Sequence, residues 1–398
     1  MIRVGFHYYF TKNSWLGGAV YLKNLFEGIR SQKNINIQPV IITDYFCTKN
    51  DLSDFKDIEV IRSNLFSRAN YNRIINKVLI IFFGKNIFVE NFLKKNKIDI
   101  TSHFSFLGNK SDIPSIYWQP DFQEIHNPNL LRIKRIIFRR INIFLFSRHS
   151  DKILLSSNTV RSDLKKISLI GYKNSKVICP VFFDIDNRDF INFNFIKKKF
   201  KIQKNFFFLP NHFWIHKNHM LILDALISLK KRNKIKNVQV VCTGLFNDYR
   251  YPNYKEEINR VIKKNNLETN FIILGIVKYS ELMSLMKHSI AVINPSKSEG
   301  WSSTVEQAKS LGKYVLLSDL KVHREQKPER SFFFNTNDHL SLSNKIYELQ
   351  KNYSNKKEVF FYKKGINKII RKKNTFILDY AKLVKKVLVK KISLIKND

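Results

Sequence analysis

Ile290-Ala291-Val292-Ile293-Asn294-Pro295 reads as a buried strand, and behind it Ser296-Lys297-Ser298-Glu299-Gly300-Trp301-Ser302-Ser303-Thr304-Val305-Glu306-Gln307-Ala308 reads as a loop entering a helix. Gly300 permits a tight turn there. The amides of Ser302, Ser303 and Thr304 open the helix, and the first amides of a helix lack partners and attract anions. Glu306 lies in the first helical turn, where a carboxylate can accept from both hydroxyls of a ribose diol. Ser303 and Glu306 also match a capping box, in which the glutamate only returns to a backbone N–H. Glu299 precedes the helix at the strand's carboxyl end, where a carboxylate usually faces a cleft.

The same alternation of strand and helix extends in both directions. Strand-like runs are Ile2–Tyr9, Ile37–Thr43, Ile98–Phe104, Ser115–Gln119, Lys152–Ser156, Phe206–Pro210, Val238–Gly244, Phe271–Gly275, Ile290–Pro295 and Tyr314–Asp319, with helical periods between them. This is the pattern of an α/β protein with parallel sheets wrapped by helices. It predicts two Rossmann-like domains, residues 1–185 and 186–375, followed by a basic C-terminal helix, 376–398. The polar, Asn-rich and basic stretch around residues 182–204 reads as the linker. In open α/β sheets ligands sit beyond the carboxyl ends of the strands, so two such sheets are expected to face a central cleft.

The 398 residues are 44% hydrophobic and 14% aromatic, which excludes a mainly disordered chain. Lys plus Arg number 70 against 32 acidic residues, a formal charge of +38 that favours anionic partners. Codon bias toward Lys, Asn, Ile, Phe and Tyr explains such an excess equally well. Cys47, Cys179 and Cys242 lie far apart, with no Cys-x-x-Cys or Cys/His cluster for a metal, and suit a reducing compartment. The start Met1-Ile2-Arg3-Val4-Gly5-Phe6 is unlike a secretory signal, and apolar runs such as Val78–Phe83 are too short to span a bilayer. A cytoplasmic protein is expected, peripheral at most on the inner face of a membrane.

Two further segments carry candidates. Gly17-Gly18 follows the first strand and precedes a helical pattern from Ala19, as a close-approach loop or as a plain turn. Pro210-Asn211-His212-Phe213-Trp214-Ile215-His216-Lys217-Asn218-His219 lies between a strand and a Leu-striped helix. There Lys217 and nearby amides can neutralise a diphosphate, while Asn218 reads as the helix cap and His212 has a structural alternative.

With these blocks in place, the sequence resembles the retaining nucleotide-sugar glycosyltransferases of GT-B fold, group 1, often called family four. The resemblance runs from Gly17-Gly18 through Trp118-Gln119-Pro120-Asp121-Phe122-Gln123 and His216-Lys217-Asn218-His219. It closes on Glu299-Gly300-Trp301, Glu306-Gln307-Ala308-Lys309-Ser310-Leu311-Gly312 and His323-Arg324-Glu325. It implies that Lys217 binds the donor diphosphate, Glu306 the nucleotide ribose and Glu299 the transferred sugar, with Gly17-Gly18 against the donor phosphates. It also implies a hexosyl transfer that needs no metal and no cofactor beyond the nucleotide sugar. Six residues separate Glu299 from Glu306, where the family commonly has seven. His212, whose charge depends on pH, stands where the family usually has a phosphate-binding arginine. Where a histidine often lies near the reacting sugar, Pro120 leaves Asp121, Gln123 and His126 as the polar candidates. Asp184-Ile185-Asp186 is an Asp-x-Asp, but it falls in the linker.

The segments Leu130–His149 and Lys356–Lys396 interleave basic and apolar residues. In the second, Phe376, Tyr380, Leu383, Val387 and Leu388 at helical spacing beside Lys382, Lys385, Lys386 and Lys390 suit an anionic membrane face, or else a packed helix with solvated lysines. The expected partners are therefore a nucleotide sugar, a saccharide or lipid-linked acceptor and an anionic membrane surface. A nucleic-acid-binding protein and a nucleotide-sugar epimerase are the competing readings. The first lacks any recognisable binding motif.

Overall fold

Thirteen short strands are described, and their apolar character follows from burial on both sheet faces. The computed structural model describes residues 1–9, 16–67, 70–183, 190–248 and 250–397, and the chain divides into two compact units. The first unit comprises Met1–Phe122, Ile133–Phe182 and Arg371–Asp398, and the second Gln123–Arg132 and Phe183–Ile370.

The first unit holds β1 (Ile2–His7), β2 (Ile37–Thr43), β3 (Glu59–Arg62), β4 (Ile100–Ser102), β5 (Ser115–Gln119), β6 (Lys152–Leu155) and β7 (Ser175–Val177). They pair in the order β3-β2-β1-β4-β5-β6-β7, all parallel. Val40, Ile41 and Ile42 on β2 are buried, as strands covered on both sides require. The 40-residue helix Glu358–Asn397 reaches this unit from Arg371 onward. There Tyr380 lies over Phe6 at 6.4 Å between ring centroids, and Phe376 packs on Tyr21 at 6.3 Å. Phe376, Tyr380, Leu383 and Val387 are all buried. The apolar stripe read as a membrane face is core, and the packed-helix alternative holds for it.

The second unit holds β8 (Phe207–Pro210), β9 (Val240–Thr243), β10 (Phe271–Ile273), β11 (Ala291–Asn294), β12 (Tyr314–Ser318) and β13 (Ser331–Phe334), ordered β10-β9-β8-β11-β12-β13 and again parallel. Helices Phe193–Phe200 and His219–Lys231 are among those that cover its faces. Ile196 on the first of these is fully buried against Phe206, Phe208 and Val292. The supposed linker is therefore part of the second unit's core from Phe193 onward, because its spaced Phe and Ile residues outweigh its lysines. Asp184-Ile185-Asp186 lies outside the described residues.

Candidate functional site

Strands β9, β8, β11 and β12 lie side by side in the second sheet and end in loops at their carboxyl edge. The loop after β8 passes so close to the one after β9 that only glycine fits at 244. Its φ is +124°, and a Cβ there would stand 2.7 Å from the Asn211 carbonyl oxygen and 2.8 Å from the His212 nitrogen. Across this contact Leu245 N–H donates to His212 Nδ1 at 2.8 Å, and Phe213 N–H donates to the Leu245 carbonyl at 3.0 Å. Nδ1 is thus the acceptor of a neutral ring, and the proton sits on Nε2. Burial, reinforced by Lys217, pushes the His212 pKa down to about 4. The expected pH-dependent cation is corrected: near neutral pH His212 offers a hydrogen-bond donor and no charge.

The β8 loop continues through His216, whose carbonyl accepts from Lys297 N–H at 2.8 Å and so ties it to the β11 loop. Asn218 has φ 61°, a left-handed conformation that asparagine tolerates. It occupies the cap position expected of it, but its side chain donates to the Thr336 carbonyl at 2.9 Å instead of capping. His219 is fully buried and stacks on Phe213 at 4.1 Å, and burial lowers its pKa to about 3. It belongs to the core.

The tie between the two loops sets Lys217 against Glu299. Lys217 Nζ donates to Glu299 Oε1 at 2.6 Å, and Ser296 Oγ donates to the same oxygen at 2.7 Å. The side chains are 14% and 10% exposed. Burial works against the charge on Glu299, but Lys217, His323 and Ser296 together outweigh it and hold the carboxyl at about 2. His323, buried on the helix Lys321–Gln326, donates from Nδ1 to the Ser318 carbonyl at 2.8 Å, and burial keeps its pKa below the usual value. Sequence reasoning assigned His323 no role.

The helix after β11 begins at Ser303, with Ser302 as its cap accepting from Val305 N–H at 3.4 Å. Ser303 is therefore the first helical residue and not the cap, and Glu306 stands one residue too late to close a capping box with Ser302. Its carboxylate is buried, and Oε1 accepts from Lys309 Nζ at 2.6 Å and from Gln326 Nε2 at 3.0 Å. Gln326 Nε2 also reaches the Ser302 carbonyl, and its Oε1 takes the Ser302 N–H, so that amide is already used. Lys309 and Gln326 were missed as site residues. The opposite charges of Glu306 and Lys309 at i, i+3 are a signal for the first, whereas Gln326 is twenty residues from Glu306 and leaves none. Gly300 is buried in the bend before this helix.

The remaining candidates lie elsewhere in the chain. Gly17 and Gly18 fall inside the first turn of the helix Leu16–Arg30, one turn earlier than the pattern from Ala19 suggested. Asp121 follows β5 on the first unit, where it is half-buried and its carbonyl accepts from the Gln119 side chain. Gln123 and His126 belong to the short helix Gln123–His126, which counts with the second unit. On that segment Asn127 Nδ2 donates to Ser298 Oγ at 2.5 Å, beside the β11 loop. Among the described residues no cluster of His, Cys, Asp and Glu is arranged to hold a metal.

Residues 191–368 match the family model described as glycosyl transferases group 1. No curated protein matches the sequence. Solved structures are similar over nearly the whole chain. HepE from Anabaena in complex with UDP and glucose has a TM-score of 0.70 at 14% identity, over 97% of this chain and 100% of that one. Sucrose-phosphate synthase from Thermosynechococcus elongatus has a TM-score of 0.70 at 12% identity, over 98% and 100%. WaaG, described as a glycosyltransferase involved in lipopolysaccharide biosynthesis, has a TM-score of 0.59 at 13% identity, over 95% of each chain.

Proposed function

We propose that the chain, whose residues 191–368 match the group 1 glycosyltransferase model and whose fold is GT-B, is a glycosyltransferase that moves a hexose from a nucleotide-diphosphate donor to a saccharide or lipid-linked acceptor with retention. The product belongs in this reading to surface polysaccharide or lipopolysaccharide, made at the cytoplasmic side of a membrane. The observation that carries it is the 2.6 Å pairing of Lys217 with Glu299 on adjacent loops beyond β8 and β11. HepE, of the same fold, is described in complex with UDP and glucose, which supports a nucleotide-sugar donor.

As the anomeric bond breaks, negative charge grows on the departing diphosphate, and stabilising that charge is the main catalytic demand. Lys217 supplies a cation, His212 its Nε2–H, and the helix starting at Ser303 its free amides. In this reading the diphosphate takes over Lys217, and Glu299 is released to hydroxyls of the transferred sugar. The carbon–oxygen bond to the diphosphate breaks, and the acceptor oxygen bonds to the same carbon on the same face. The acceptor's proton leaves toward the departing phosphate, and no metal is assigned to the step. Glu306 holds the ribose in exchange for its Lys309 contact, and Asp121 is the acceptor-side group.

One observation favours a narrower role for Glu306: its burial and its bonds to Lys309 and Gln326 anchor the helix Ser303–Ser310 without any ligand. A donor screen by thermal shift tests the whole proposal. A nucleotide sugar at a hundred times its Kd is expected to stabilise the protein by about 2.7 kcal/mol. Unchanged donor affinity in Lys217→Ala overturns the phosphate assignment, and in Glu306→Ala the ribose assignment.

A further inference from the structure

The helices Asn70–Phe83 and Ile133–His149 of the first unit show an inverted amphipathicity. Ile133, Ile137, Ile141 and Phe144 recur along one side of the second helix, each with more than half of its surface in solvent, while Ile143, Leu145 and Phe146 are buried. On the first helix Ile74 and Phe82 are likewise exposed, Phe82 to 77%, while Ile80 is buried. The two helices are neighbours, because Lys77 Nζ lies 4.2 Å from the centroid of the Phe138 ring. An apolar surface of this extent on a soluble domain marks an interaction site.

Charge selects the occupant. Neither helix contains an Asp or Glu, and the second carries Lys134, Arg135, Arg139, Arg140 and Arg148 among its apolar residues. A second copy of the chain would bring the same cations against each other. A bilayer with anionic headgroups accepts both components, the apolar side chains at the acyl boundary and the cations at the phosphates. No helix among the described residues is long and apolar enough to cross a membrane, so contact is interfacial.

We propose that the adjoining helices Asn70–Phe83 and Ile133–His149 form a docking surface for an anionic lipid bilayer, with the apolar residues inserted and the flanking Lys and Arg on the headgroups. This deepens the lipid-side part of the proposed function, and it is read without any sugar transfer.

The full chain is sedimented with vesicles of phosphatidylcholine containing phosphatidylglycerol, and with vesicles of phosphatidylcholine alone. Binding is expected to the first and to be at least about tenfold weaker to the second. The triple variant Ile137→Ser/Phe138→Ser/Ile141→Ser and the charge reversal Lys134→Glu/Arg140→Glu are each expected to lower anionic binding about tenfold or more. Matched reversal of two exposed lysines on the C-terminal helix, Lys382→Glu/Lys385→Glu, is expected to change it less than about threefold. Unfolding midpoints near that of the parent show that the variants fold. Equal binding to both vesicle types, no binding at all, or equal losses from both charge reversals overturns the proposal. So does a dimer that the triple variant dissolves without any vesicle binding. Loss of vesicle binding with donor binding intact counts against this surface alone, and the converse against the sugar-transfer reading alone.

Discussion

In the second unit an ammonium and a carboxylate meet at 2.6 Å between two loops, and with its neighbours that ammonium keeps the buried Glu299 carboxyl at about 2. On the first unit's helix Ile133–His149 the cations have no carboxylate on their own helix, and Lys77 sits over the Phe138 ring. The same basic composition thus serves two ends. In one place charge turns inward and is paired with a buried carboxylate, and in the other it stays at the surface beside exposed apolar side chains. A third region sharpens the lesson: in Arg371–Asn397 lysines also alternate with apolar residues, yet Tyr380 and Leu383 are buried in the first unit's core. The net charge of +38 is therefore a sum over regions with different physical roles.

The contrast breaks most readily at the paired charges. Lys217→Met is expected to reduce kcat/KM with the best donor by about 10²–10³-fold, the loss typical of one donor to a developing anion. It also strands Glu299, at about 3 kcal/mol of stability for a charge left without its partner. The double variant Lys217→Met/Glu299→Gln is expected to regain most of the stability by denaturant titration and none of the turnover.

Acid sharpens it next. Glu299 is held at about 2 against an ordinary 4.5, so it contributes stability above pH 4.5 that is lost as the pH falls toward 2, about 3 kcal/mol in all. His212, His216 and His219, held at about 4, 3 and 3 against 6.5, are buried neutral. The unfolded chain takes up their protons first, so stability begins to fall as the pH drops below about 6.5 and steepens below 4.5. Unfolding midpoints measured from pH 7 to 3.5 check this, and a flat profile between 6.5 and 4.5 contradicts the buried-neutral assignment.

The two basic helices of the first unit then part in stability. Leu383→Ala is expected to cost about 3 kcal/mol through the cavity it opens. Ile137→Ser, which removes a side chain already 53% exposed, is expected to stay within about 0.5 kcal/mol. Equal losses in denaturant titrations of the two variants would erase the distinction.

Much of the fold was legible because buried parallel strands are apolar runs, as Ile37–Thr43 and Ile290–Pro295 are. The strands that escaped notice, Glu59–Arg62, Ser175–Val177 and Ser331–Phe334, are all sheet edges. The first two are short and mix polar residues into the run, so they lack the continuous apolar pattern of a strand buried on both faces. The placement of Lys217 and Glu299 on loops beyond their strands was legible from the sequence pattern. The direct pairing of those two residues was not, since it depends on the Lys297–His216 backbone tie and on the close approach at Gly244. Likewise nothing local in the sequence distinguishes the exposed apolar stripe at Ile137 from the buried one at Leu383, because the difference lies in what the rest of the unit places against each helix.

A crystal structure with a bound UDP- or GDP-sugar shows whether Lys217 exchanges Glu299 for the diphosphate of a nucleotide sugar. The predicted result has a diphosphate oxygen about 3 Å from Lys217 Nζ, with Glu299 turned to sugar hydroxyls. A nucleotide bound elsewhere, with the Lys217–Glu299 pair still closed, would contradict it.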